Sequence, residues 1–88
     1  MEARPKEYKY KVDAIWHAER KAFLSAEGKP PLQVATPPEF KGHPGIWTPE
    51  DLFVAAQVSC FMMTFLGTAH HRGLKFEAFE AEAEGTIA

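Results

Sequence analysis

From Leu52 to Ala69 the chain runs eighteen residues without a charge, directly behind Thr48-Pro49-Glu50-Asp51. No other segment restricts the fold so strongly. Thr48 is a good N-cap residue, Pro49 suits the first helical position, and the acids Glu50 and Asp51 fall where the helix dipole favours negative charge. At the far end, His70, His71 and Arg72 precede Gly73, the pattern of last-turn cations followed by a C′ glycine. These signals predict one helix from Pro49 to about Arg72. Its length touches the lower limit for a bilayer span. Against a span, Gln57, Ser59, Thr64 and Thr68 interrupt the run, Gly67 weakens it, and no aromatic belt or second span accompanies it. The reading is therefore a buried central helix in a soluble protein, with no membrane partner.

Around that helix the sequence alternates as strands do. From Tyr8 to Trp16 the residues Tyr8, Tyr10, Val12, Ala14 and Trp16 share one face, opposite Lys9, Lys11 and Asp13, which predicts a half-buried strand. Lys21 to Ala26 forms a second expected strand after a turn at His17 to Arg20, and Leu32 to Ala35 a third after the Gly28-Lys29-Pro30-Pro31 break. An antiparallel meander follows from the short connections. Residues 36–48 hold three prolines and two glycines, so they read as a shaped loop that delivers Phe40 and Trp47 near the helix start. After Gly73, the segment Phe79 to Ile87 alternates again, with Phe79, Ala81, Ala83 and Ile87 inward and Glu80, Glu82, Glu84 and Thr86 outward. The predicted class is α+β: meander, long cysteine-bearing helix, then a strand.

A helix apolar on nearly every side needs cover all round, and one small sheet covers one side. Either a second subunit supplies the rest, or the 88 residues are the front part of a longer domain. An end inside or just after a strand favours the second expectation.

Composition narrows the partners. A chain of 88 residues is one small domain at most, burying about two-thirds of its unfolded surface. With 45% apolar and 25% charged residues it has a globular rather than a disordered profile. A net charge of −2 gives no electrostatic basis for nucleic acid or an anionic membrane. The single cysteine excludes an internal disulfide, and the opening MEARPKEYKY lacks the apolar stretch of a secretory signal, so a cytoplasmic location is expected.

Cys60 is the first candidate for chemistry, set against the ordinary reading of a buried structural thiol flanked by Phe61, Met62 and Met63. A reactive thiolate needs a nearby cation. Arg20, in the turn between the first two strands, is the best one available, and Glu50 is placed to orient a guanidinium through a bidentate pair. Glu50 and Cys60 lie ten residues apart, about 15 Å of rise and about 80° of rotation on a straight helix. They cannot touch within one helix: either an arginine bridges them partway, or Glu50 and Arg20 of one subunit approach Cys60 of another, which makes a site at a dimer interface attractive. The four histidines show no metal-ligand spacing, since His70 and His71 are adjacent and His17 and His43 lie in turns. His71 is about 16 Å from Cys60 along the helix and is not its base.

With these residues laid out, the chain resembles the OsmC/Ohr family of organic hydroperoxide reductases, and its OsmC-like branch most. The resemblance is carried by VATPPEFKGHPGIWTPEDLFVAAQVSCFMMTFLGTAHHRGLKF and by the ending AEAEGTIA. They are similar to that family's proline-rich loop, its TPE helix start, its alanine pair, its helix-embedded reactive cysteine and the strand that follows. The resemblance implies an intertwined homodimer with two sites at the subunit interface and the long helices buried centrally. It implies Cys60 as peroxidatic cysteine, Glu50 as the helix-start glutamate and Arg20 as the hairpin arginine, with Lys21 the adjacent alternative. Phe53, Phe61 and Met63 would line an apolar pocket for an organic hydroperoxide. No metal, haem or flavin is implied.

Family peroxidases carry a second, resolving cysteine in their later half, and no second cysteine occurs here. The expectation is thus a single OsmC-like domain over 1–88 that lacks the C-terminal half and is recycled by an external thiol. The competing expectation is a non-catalytic dimerising, redox-sensing or small apolar ligand-binding module.

Overall fold

The computed structural model describes residues 6–73, 75 and 78–86. The chain divides into two compact units, Met1–Ile46 and Trp47–Ala88.

The first unit is a three-stranded antiparallel meander in the order β1-β2-β3, with β1 at Asp13–Ala18, β2 at Lys21–Ser25 and β3 at Leu32–Ala35. As the flanking turn signals predict, Lys21 starts the second strand, which ends at Ser25, one residue before the expected Ala26, and Leu32–Ala35 is the third. The pairing of β1 with β2 runs from Asp13 opposite Ser25 to Trp16 opposite Ala22, then shifts so that Ala18 faces Lys21. That shift places His17 at an irregularity, where its ring lies against Phe23 with centroids 4.8 Å apart and a ring nitrogen stands 3.1 Å from Gln33 Nε2. Among the described residues of this unit, Val34, Ala35 and Pro37 are buried.

The first strand is shorter than its sequence pattern. Residues 8–12 lie outside the ladder, because β2 ends at Ser25 opposite Asp13 and the chain then turns, with the Lys29 N–H donating to the Ala26 carbonyl. Alternation states which way side chains face, but a strand also needs a partner backbone. The expected half-burial is not found either: Tyr10 is 90% and Trp16 71% exposed.

The second unit is built on α1, Pro49–His71. Thr48 is the N-cap in extended conformation and Pro49 the first helical residue, and the cap is reciprocal: Asp51 N–H donates to Thr48 Oγ1 at 3.0 Å and Thr48 N–H donates to Asp51 Oδ2 at 3.1 Å. At the other end Arg72 N–H donates to Thr68 and Gly73 N–H to His70. Gly73 has φ +69°, the left-handed conformation that lets this pattern of C-terminal bonds form without a Cβ penalty. The helix boundaries agree with the sequence reading at both ends.

Two expectations for this unit are corrected. The helix is not buried in the single chain: Ala69, 2% exposed, is its only buried residue among those described. Phe79 stacks on Phe65 at 4.4 Å and on Phe61 at 6.4 Å, yet one short segment cannot cover a helix that is apolar all round. By length and composition alone the helix is apolar enough to cross a membrane. The final strand is likewise not formed over 78–86. Its alternation is intact in sequence, but among the described residues the strands are β1, β2 and β3 alone. Ile87, assigned to that strand, lies outside the described residues.

Candidate functional site

The helix fixes where the candidate residues stand. At about 100° per residue, Phe53 lies seven residues before Cys60 and returns to within about 20° of it, and Met63 lies about 60° away. Phe53, Cys60 and Met63 thus form one stripe on α1. All three are exposed, Phe53 at 70% and Met63 at 59%. Phe61 departs from this grouping: one residue on, it turns about 100° away, toward the flank where Phe65 and Phe79 stack.

Glu50, in the first turn of α1, lines a cavity of about 430 Å³ with Trp47, Val54, Val58 and the segment Ala83 to Gly85. The chain passes close to the helix there: a Cβ on Gly85 would stand 2.9 Å from Val54 Cγ2. Glu50 Oε1 is buried and has no hydrogen-bond partner among the described residues. A buried carboxylate oxygen without a donor is costly. Its neighbour Asp51 is committed elsewhere, its Oδ2 accepting both the N–H and the Oγ1–H of Thr48. The two acids at the helix start therefore differ: Asp51 closes the cap, and Glu50 Oε1 accepts no hydrogen bond among the described residues.

Arg20 belongs to the first unit and occupies the two-residue connection between β1 and β2 with Glu19. Glu19 is left-handed at φ +49°, and the indole Nε1–H of Trp16 donates to its carbonyl at 2.7 Å. The Arg20 carbonyl accepts from Thr36 N–H at 3.2 Å, and its guanidinium Nη1 donates to the Phe40 carbonyl at 2.9 Å. Lys21, the alternative cation, is instead a strand residue paired with Ala18 and Ala35. His43 Nε2 stands 3.3 Å from Glu19 Oε2, so the proline-rich loop touches both residues of the turn.

Sequence reasoning located Cys60, Glu50 and Arg20 as candidates but missed the Phe40 carbonyl, Gly42 and the His43–Glu19 pair. A main-chain acceptor leaves no mark in side-chain chemistry. The density of proline and glycine in residues 36–48 was the available signal.

The sequence pattern of the OsmC-like protein family matches residues 42–88, more than half of the 88 residues. The chain belongs to the OsmC-like protein family. The matched region contains Glu50, the whole of α1 and Cys60, whereas Arg20 precedes it. No curated protein gives a significant match to the chain.

Proposed function

We propose that this chain is a thiol peroxidase of the OsmC/Ohr type, reducing organic hydroperoxides through Cys60 in defence against oxidative stress in the cytoplasm. The observation that carries the reading is an exposed cysteine within the helix of the family-matched region, eleven residues after the capped Pro49 start.

In this reading the Cys60 thiolate attacks the terminal oxygen of a hydroperoxide. An S–O bond forms, the O–O bond breaks, and the electron pair leaves on the alkoxide, which takes a proton to give the alcohol. Cys60 is oxidised to the sulfenic acid and the peroxide is reduced. One external thiol then condenses with the sulfenic acid, releasing water and giving a mixed disulfide. A second thiol attacks that disulfide, returning the Cys60 thiol and an external disulfide. Within these 88 residues Cys60 has no second thiol to pair with, so an external thiol is assigned as the reductant.

Arg20 is assigned to stabilise the thiolate and hold the peroxide, and Glu50 to orient that guanidinium. The unpartnered Oε1 of Glu50 supports a cationic partner for it, because a guanidinium pairs with carboxylates in bidentate fashion. Phe53 and Met63, on the Cys60 stripe, are assigned to the organic tail, with Phe61 on the adjoining flank. Two copies are assigned as the working unit, supported by the exposed aromatic surface of α1.

Intact mass spectrometry before and after stoichiometric cumene hydroperoxide, with a sulfenic-acid trap, tests the reaction. A trapped adduct on Cys60 within seconds is the expected result; a thiol that remains unmodified in folded protein rejects it. The exposed Phe53 and Met63 stripe also favours a second reading, a non-catalytic module that binds a small apolar ligand. That reading gains if Cys60 is inert.

A further inference from the structure

The segment 36–43 closes on itself and on the β1–β2 turn together. Its internal closure comes from Gly42 N–H donating to the Pro37 carbonyl at 3.0 Å and His43 N–H donating to the Thr36 carbonyl at 2.9 Å. Between these, Pro38–Phe40 forms a 3₁₀ turn ended by Lys41 at φ +63°. The closed loop then reaches the turn at two consecutive residues, through the Phe40 carbonyl on Arg20 and His43 on Glu19.

We propose that the 36–43 loop is the positioning element of Arg20, with Gly42 and His43 as its positioning residues. This role rests on the thiol peroxidase reading. An arginine on an exposed two-residue turn samples many rotamers, and a charge that must act at one place needs one of them selected. The Phe40 carbonyl makes that selection. A carbonyl holds one N–H of the guanidinium without neutralising it, and the remaining donors stay available for the Glu50 carboxylate and for a thiolate or a peroxide.

The position of that carbonyl depends on Gly42. A Cβ there would lie 1.7 Å from the Thr36 oxygen and 2.2 Å from the Thr36 carbonyl carbon. Both are main-chain atoms that no rotamer change can move aside. Any other residue at 42 therefore opens the closure that sets Phe40. His43 adds the second tether, on the residue next to Arg20, where the left-handed Glu19 backbone fixes the direction in which the turn projects.

The test uses the full chain and follows the guanidinium Nε–H signal of Arg20 by nitrogen-15 NMR, assigned by its loss in Arg20→Ala among the three arginines. The oxidation rate of Cys60 by cumene hydroperoxide is measured alongside. Gly42→Ala and His43→Ala are expected to average the Arg20 signal and slow oxidation at least ~10-fold, the order expected for misplacing a charged group by about an ångström. His43→Gln, which keeps a donor for Glu19, recovers both. Gln33→Ala, which removes only the contact to His17, changes neither. An unchanged Arg20 signal in both loop variants overturns the inference, as does a loosened signal with wild-type oxidation where Arg20→Ala is slow. Should Gly42→Ala not fold, His43→Ala carries the test, since it removes one surface contact. If Arg20→Ala itself oxidises at the wild-type rate, the assignment of Arg20 to the thiolate fails and the loop has no catalytic consequence, whereas a Cys60 that stays unmodified in the wild-type protein rejects the peroxidase reading itself; the NMR comparison still decides whether the loop holds Arg20.

Discussion

Thr48 and Asp51 satisfy one another across the first turn of α1, each main-chain N–H donating to the other's side chain, at 3.0 and 3.1 Å. Because Thr48 is also one of the few buried residues among those described, 8% exposed, the cap and the local packing depend on the same side chain. Thr48→Ala is expected to cost about 1–2 kcal/mol, lowering Tm by about 4–16 °C at this chain size. Thr48→Ser, which keeps the acceptor, should lose less than half of that. Differential scanning calorimetry of the three proteins checks it, and equal losses for Ala and Ser would show that the methyl contact, not the cap, dominates.

Two glycines of the same helix region should respond to alanine with opposite signs. Gly67 lies inside α1 with nothing within 4 Å of an added Cβ, so Gly67→Ala should stabilise the chain by about 0.5–1 kcal/mol. Chemical denaturation gives the value, and a loss of stability would contradict the open surroundings of that position.

Gly73 also has open space around an added Cβ but stands at φ +69°. Gly73→Ala should therefore destabilise by about 1–2 kcal/mol through backbone strain alone. Gly73→Asn, whose side chain tolerates the left-handed region, should recover part of the loss in the same denaturation series.

The contrast between Arg20 and Lys21 tests the assignment of the cation. Arg20→Ala should slow Cys60 oxidation by about 10-fold or more, as for loss of a charged, oriented contact to the reacting group. Lys21→Ala, altering a residue engaged in the β2 ladder, should stay within about 2-fold. Stopped-flow measurement of thiol consumption separates them, and equal losses would remove the distinction.

The legible parts of the fold were those that carry their own chemistry in one stretch of chain. The helix from Pro49 to His71 declared its start through Thr48 and its end through Gly73, since caps are local. Leu32–Ala35 was bracketed by turn residues. The misread parts depend on something outside the segment: Tyr8 to Val12 and residues 79–86 alternate as strands do, but among the described residues neither stretch is in a strand. The site divides the same way. Cys60, Glu50 and Arg20 are conspicuous as residue types, whereas the Phe40 carbonyl could be any residue's, and Gly42 matters only because the Thr36 backbone comes so near.

The two tryptophans fall one in each compact unit, Trp16 before Ile46 and Trp47 at the start of the other. The chain therefore carries a separate intrinsic fluorophore for each half. Trp16→Phe leaves emission from the helical unit alone, and Trp47→Phe leaves emission from the meander, where the indole is tied to the Glu19 carbonyl. Comparing the two melting curves reveals whether the halves unfold as one cooperative body or in succession, without any added label.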